Sequence, residues 1–262
     1  MLKADNLEVA LDAAIRRFDG TSPVTPQVHH HFGYAGIVAR RLMRLRMRLV
    51  LEVVAEEGGQ LDDGVDVACA VEILHDSTLV HDRIEDRVWA RFGLAHGINA
   101  GDALCAIAYL QLLEGPSRRA PELTVRMTRA LHEGNFALCA GQAREIAFED
   151  DGAIGPDAYL AMIRGKAALF AVACELGALV AGTSLERAQA YARLGRTCGV
   201  AFQMEDHVQS DPATRKWALP ELASLATVRT YLAEGDALAS AAGIDVSGRV
   251  RSFFARAIRS AA

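Results

Sequence analysis

The stretch His75-Asp76-Ser77-Thr78-Leu79-Val80-His81-Asp82-Arg83-Ile84-Glu85-Asp86 decides how this chain is read. Before it, Val65 to Leu74 is apolar at helical spacing and holds no Pro, so the whole reads as the C-terminal half of a long buried helix. On such a helix His75, Thr78, Leu79, Asp82 and Asp86 share one stripe, because they stand three, four or seven positions apart. Two carboxylates one turn apart on a mostly uncharged face are costly unless a positive group meets them, and a divalent cation answers that need. The competing reading is a helix that ends in solvent with a charged last turn. A second stretch, Gly199-Val200-Ala201-Phe202-Gln203-Met204-Glu205-Asp206, has the same form, with a polar stripe of Gln203, Asp206, His207 and Ser210. Two such helices face to face are expected to bring Asp82, Asp86 and Asp206 to the mouth of one cavity.

Composition agrees with an all-α protein. The chain has 262 residues and is 51% hydrophobic but only 6% aromatic, which calls for a well-filled aliphatic core. Ala, Leu, Arg and Glu are abundant, β-branched runs are few, and there are only seven prolines, so helices are favoured throughout. No repeat or domain boundary stands out, and a single domain over 1–262 is expected. A net charge of -5 gives no case for nucleic acid, although the basic stretch Arg40 to Arg48 leaves a phosphate ligand open. Cys69, Cys105, Cys139, Cys174 and Cys198 lack the short spacings of zinc or redox sites, and read as reduced core residues of a cytoplasmic protein. No signal peptide or transmembrane segment is recognised: the longest apolar run, Ala167 to Thr183, contains Glu175 and two glycines.

The pattern predicts helices over Leu2–Phe18, after the lead-in His29 to Phe32 up to about Glu57 with a stop at Gly58-Gly59, and over Asp63–Arg87. Further helices are expected from an Asn99 or Asp102 cap through Leu113, over Pro121–Phe148, Asp157–Gly182 and Ser184–Gln209, and in two short segments from Leu219 to Ala242 and from Val246 onward. Thr21 to Gln27, with two prolines, reads as a loop.

Taken in order, these motifs resemble a family. His75 to Asp86, Ile98-Asn-Ala-Gly-Asp102-Ala-Leu, Gly141-Gln142, Tyr159-Leu-Ala-Met-Ile-Arg-Gly-Lys166 and Ala201-Phe202-Gln203-Met-Glu-Asp206 are similar to the trans-isoprenyl diphosphate synthases, particularly the bacterial geranylgeranyl type. The likeness is collinear over roughly residues 30 to 220. It implies an isoprenoid-synthase-type helical bundle around a central apolar cavity. It also implies magnesium, held between two motifs of the form D-D-x-x-D to ionise an allylic diphosphate. Here the first motif is Asp82-Arg83-Ile84-Glu85-Asp86 and the second is Asp206-His207-Val208-Gln209-Ser210. The family's main direct ligands map to Asp82, Asp86 and Asp206, and all three are present. Magnesium needs only one or two protein carboxylates when water and phosphate oxygens complete its octahedron, so a thinned site remains workable. Arg83 supplies a positive charge next to Asp82 that suits a diphosphate.

By the same resemblance Arg44 and Arg46 are what remains of the segment that grips isopentenyl diphosphate, and its lysine is gone. His75 occupies a position that helps bind the same phosphate, Lys166 keeps the family's lysine and is a candidate catalytic residue, and Gln142, Phe202 and Gln203 keep substrate-contacting positions. The R-R-G loop after the first motif is deleted. The lysine-bearing loop after the second is shortened, leaving Lys216 as its candidate. A weakened isopentenyl diphosphate site follows. Ser77 and Thr78 are small, which implies a C15 to C20 allylic substrate, with Tyr109 as the floor of its pocket.

Three functions are therefore weighed. One is a prenyltransferase that uses isopentenyl diphosphate or another acceptor. The second is a class I terpene cyclase, which needs no isopentenyl diphosphate. The third is a non-catalytic partner of an intact prenyl diphosphate synthase. A homodimer through the helix after Asn99 is expected from the family. His29-His30-His31 reads as surface or capping histidines rather than one metal site, because adjacent positions do not converge on an ion. His207 is either a proton acceptor beside Asp206 or a structural histidine, and Glu145 is by default a hydrogen-bonding group.

Overall fold

The computed structural model describes residues 4–19, 25–31, 44–85, 93–114, 120–151, 154–209 and 224–258. The described residues form eleven α-helices and no strand. They are α1 (Ala4–Asp19), α2 (Thr25–His31), α3 (Leu45–Glu56), α4 (Leu61–Glu85), α5 (Leu94–Glu114), α6 (Pro121–Asp151), α7 (Pro156–Lys166), α8 (Ala168–Val180), α9 (Leu185–Gln209), α10 (Leu225–Ala241) and α11 (Arg249–Ala257). The all-α expectation holds. The residues group into two compact units, one of Met1–Arg48 with Asp62–Thr128, the other of Leu49–Leu61 with Arg129–Ala262.

In the first unit, α1 buries Leu7, Leu11, Ala14 and Ile15, the i, i+4, i+7, i+8 pattern of a core-facing stripe. Both α1 and α2 pack on α5. The middle of α4 is buried nearly all round, from Asp66 through Leu74 and again at Asp76 and Ser77. Three acidic residues, Asp66, Glu72 and Asp76, sit inside that buried helix, and the start of α3 meets the last two. Arg44, immediately before α3, has a φ of 46°, the left-handed region that costs a non-glycine residue about 1 kcal/mol. Its side chain repays that strain. Its Nε and Nη2 donate to the two oxygens of Glu8 at 2.8 and 3.0 Å, and Nη1 donates to Asp76 at 2.8 Å. Glu72 accepts the Met47 N–H at 2.9 Å, capping an otherwise unpaired donor in the first turn of α3.

In the second unit α9 is the hub, packing against α7, α8, α10 and α11. The apolar α8 is buried from Ala168 to Leu179 except at Glu175, and Phe170 contacts Phe202 and Phe254 with ring centroids 5.1 and 5.9 Å apart. A carboxylate pair closes the far side: the Tyr191 hydroxyl lies 2.9 Å from Glu56 and 2.5 Å from Glu57, Arg187 donates to Glu57 at 2.6 Å, and the Val250 N–H donates to Glu56 at 2.9 Å. The Glu57 carboxyl is held below its ordinary value: burial works against this, but the hydrogen bonds from Arg187 and Tyr191 prevail.

Four element boundaries differ from the sequence reading. The helix α2 occupies 25–31 where a loop through Gln27 is expected; Pro26 is accommodated because the first helical turn needs no N–H from it. The long helix up to Glu57 begins only at Leu45, because Arg44 is left-handed; Arg40 and Arg41 lie outside the described residues. The helix α5 starts at Leu94 after Gly93, whose φ is 83°, so Asn99 and Asp102 sit inside it and do not cap it. The expected single helix from Asp157 to Gly182 is two, divided at Ala167, where the backbone turns with ψ near zero. Among the cysteines, Cys69, Cys174 and Cys198 are buried as expected, but Cys105 is only half-buried and Cys139 is exposed on the outward stripe of α6. Burial pushes the Cys69 and Cys198 thiols up to about 12.

The α6–α7 crossing yields a first prediction. A Cβ at Gly165 would stand 2.7 Å from Gly141 Cα and 2.8 Å from the Ala137 carbonyl oxygen, backbone atoms that no rotamer change moves. Gly165→Ala should therefore destabilise the protein by about 2–3 kcal/mol, read as a lower denaturant midpoint. An unchanged midpoint would show that the two helices separate freely.

Candidate active site

Partial exposure distinguishes one stripe of α4. His75, Thr78, Leu79 and Asp82 are half-buried, whereas Asp76, Ser77 and Val80 between them are buried. The stripe drawn from spacing is thus the face that solvent or a ligand reaches. The Ser77 hydroxyl donates to the Leu74 carbonyl and the Thr78 hydroxyl to the His75 carbonyl, each at 2.7 Å. Both satisfy their polarity on the helix itself, so the half-buried Thr78 presents mainly carbon to the outside. Arg83 is exposed next to Asp82, and Tyr109 of α5 is half-buried. Asp86 and Lys216 lie outside the described residues, as does Ser210.

The arginines of the expected acceptor site have a different setting. Arg44 is 4% exposed and Arg46 9%. Burial opposes the charge of Arg44, yet the Glu8 hydrogen bond and the carboxylates of Asp76, Glu72 and Glu8 hold its guanidinium above the ordinary arginine value. Three of its guanidinium nitrogens face protein carboxylates, so its fork is already filled by carboxylate where a diphosphate ligand was expected. Sequence reasoning missed this network. Its signal was Glu72 and Asp76 inside the most apolar stretch of α4, a pair that cannot stay there without a cation.

Glu72 itself is perturbed. Burial, and after it the neighbouring Asp76 carboxylate, push its carboxyl up to about 7, against the Met47 N–H and the two arginines. A carboxyl that holds its proton more tightly when folded stabilises the protein below its unfolded pKa and loses that contribution as pH rises through about 7. Glu72→Gln retains an acceptor for Met47 and removes the titration. Unfolding free energies measured from about pH 5 to about pH 8 should fall with rising pH in the parent relative to this variant; parallel curves would contradict the assignment.

In the second unit the residues expected by resemblance cluster around α6, α7 and α9. Lys166 donates to Glu145 at 2.5 Å, with side chains only 21% and 10% exposed, so Glu145 is the lysine's counter-ion. Gln142, half-buried, lies one residue beyond Gly141, where α6 passes α7 in close backbone contact. On α9, Phe202 lies on Phe170, Gln203 is buried, and Asp206 is exposed in the last described turn. His207 is anchored: its Nδ1 lies 3.3 Å from the hydroxyl of the buried Tyr159. Tyr159 stands in one of the quoted motifs, but nothing in its spacing disclosed that partner. Among the described residues no three His, Cys, Asp or Glu side chains gather as a ready-made metal cage. The donors on offer are single carboxylates, Asp82 and Asp206, and such hard oxygen ligands suit magnesium that keeps water and phosphate oxygens in its shell.

Comparison with known proteins places this geometry. Residues 28–211 match the polyprenyl synthetase family. The chain is 32% identical over 212 residues to (2E,6E)-farnesyl diphosphate synthase of Mycobacterium tuberculosis, covering 75% of this chain and 56% of that protein. It is 35% identical over 204 residues to geranylgeranyl diphosphate synthase of the same organism, covering 69% and 57%. It therefore spans little more than half the length of these curated relatives. In structure it superposes on geranylgeranyl pyrophosphate synthetase of Geoglobus acetivorans with a TM-score of 0.78 at 22% identity, over 98% of both chains. An isoprenoid synthase family member from Thermotoga neapolitana gives 0.77 at 24% identity, again over 98% of both; both likenesses concern the fold. With more than half of its residues matched to that family, the chain belongs to the polyprenyl synthetases.

Proposed function

We propose that this protein is a magnesium-dependent prenyltransferase that ionises a C15 to C20 allylic diphosphate and has a weakened isopentenyl diphosphate site. Membership of the polyprenyl synthetases supports the reaction class. The observation that carries the weakened acceptor site is Arg44, whose guanidinium is taken up by Glu8 and Asp76. Asp82 with Asp86, and Asp206, would hold the magnesium, which when bound neutralises the leaving diphosphate. Arg83 adds positive charge beside Asp82, and Lys166 with Gln142, Phe202 and Gln203 line the substrate. Leu94, Ile98, Leu110 and Leu113 of α5 are exposed apolar side chains, which supports assembly as a homodimer. Location in the cytoplasm accords with the absence, among the described residues, of any helix long and apolar enough to cross a membrane.

The occupied Arg44 equally favours a second reading, class I terpene cyclisation, in which the substrate's own double bond is the nucleophile. Incubation with C10, C15 and C20 allylic diphosphates and magnesium, with and without isopentenyl diphosphate, separates them. Transfer gives a longer prenyl diphosphate only with the acceptor present, and cyclisation gives hydrocarbon without it. Absence of diphosphate release under every condition would overturn both and leave the non-catalytic partner role.

A further inference from the structure

We propose that Gly97 and Gly101 of α5 form a seat that positions the acidic turn of α4, and that both glycines are positioning residues for Asp82. This rests on the reading of Asp82 as a magnesium ligand. Core packing does not locate that turn: beyond Val80, the residues His81, Asp82, Ile84 and the exposed Arg83 and Glu85 are all partly or fully open to solvent. His81 and Ile84 stand three apart and so leave α4 on one face, on either side of Asp82 in the chain. Gly97 and Gly101 stand four apart, share a face of α5, and are both buried.

The two pairs interlock. A Cβ built at Gly101 would meet the imidazole of His81, with Cε1 at 2.8 Å and Nε2 and Cδ2 nearer still. One built at Gly97 would meet Ile84 Cδ1 at 3.0 Å and Cγ1 at 3.4 Å. The missing side chains are therefore the space that His81 and Ile84 fill. The ring is also aimed: His81 Nε2 lies 3.5 Å from Asp102 Oδ1, the residue after Gly101. The seat is itself fixed, since α1 and α2 pack on α5 and Gln27 Nε2 lies 3.4 Å from His96 Nδ1. Two glycines inside a helix are disfavoured against alanine, and here both vacancies receive the neighbours of one carboxylate. A carboxylate carried on this partly exposed last turn is placed in part by that seat, and displacements of about 1 Å are enough to matter for a reacting site.

The test compares Gly101→Ala, Gly97→Ala, Asp82→Ala and the double variant His81→Ala/Gly101→Ala with the parent. In metal-free protein, amide hydrogen exchange over residues 81–85 should quicken in Gly101→Ala and, to a lesser degree, in Gly97→Ala, while exchange in α8 stays unchanged. The magnesium concentration giving half-maximal diphosphate release should rise about tenfold in Gly101→Ala, with much of the rate recovered at saturating metal. Shrinking the ring makes room for the new methyl, so the double variant should sit closer to the parent than Gly101→Ala alone. If Gly101→Ala leaves both exchange and magnesium dependence unchanged while Asp82→Ala abolishes release, the seat is refuted and the magnesium reading stands. If Asp82→Ala releases diphosphate at the parent rate, the magnesium reading has failed and with it the seat's catalytic role, whatever the exchange shows. Should Gly101→Ala not fold, the same comparison is made with Gly97→Ala, where only the flexible end of Ile84 must move.

Discussion

Asp82→Ala should lower diphosphate release from an allylic substrate by about 100-fold or more while leaving helix content and Tm close to those of the parent. The side chain is half-buried on a face of α4 that is not packed in the core, so its loss opens no cavity. Its expected cost lies in the chemistry, because it removes a hard oxygen ligand from the place where negative charge leaves the substrate. Asp206→Ala, at an exposed position on α9, should behave alike. Glu85→Ala, exposed in the same turn as Asp82 and assigned no role, should remain near the parent. Release rates measured with saturating magnesium, beside far-ultraviolet circular dichroism, check all three. Full activity in both aspartate variants would remove the carboxylate mechanism.

Arg44→Ala should have the opposite profile, a large loss of stability. It strips the counter-ion from Asp76, whose side chain is 1% exposed, and leaves Glu72 buried beside it. Breaking a buried pair by deleting one partner costs about 3–5 kcal/mol because the remaining charge has neither water nor a cation. At roughly 2–4 °C per kcal/mol for a chain of this size, Tm should fall by about 6–20 °C. Relief of the left-handed backbone does not offset this, since alanine at a φ of 46° is strained as well. Arg44→Lys, which keeps the charge but not the bidentate fork on Glu8, should fall between the two. Thermal unfolding checks the series. A variant with parental Tm but a raised requirement for isopentenyl diphosphate would instead restore Arg44 to the substrate.

The sequence reveals what periodicity and helix-breaking residues encode. The partly exposed stripe of α4, the apolar α8 and the stop at Gly58 are legible because each follows from local pattern. The division at Ala167 and the left-handed Arg44 are not, since both answer to partners distant in the chain: Gly141 beneath Gly165, and Glu8 with Asp76 around a guanidinium. For the candidate site, spacing singled out Asp82 and Asp206. It could not tell that Arg44 meets carboxylates or that His207 rests on Tyr159, because ion pairs and hydrogen bonds between helices leave no trace in a one-dimensional pattern. Of the two α5 glycines only Gly101 falls within the motif Ile98 to Leu104, and the use of both appears only when a Cβ on each meets His81 and Ile84.

The central claim is tested most directly by titrating magnesium into metal-free protein supplied with geranylgeranyl diphosphate and isopentenyl diphosphate while inorganic diphosphate is measured. The account predicts release that rises with magnesium, saturates, and disappears on chelation. Release that is independent of magnesium, or none at saturating metal, would contradict it.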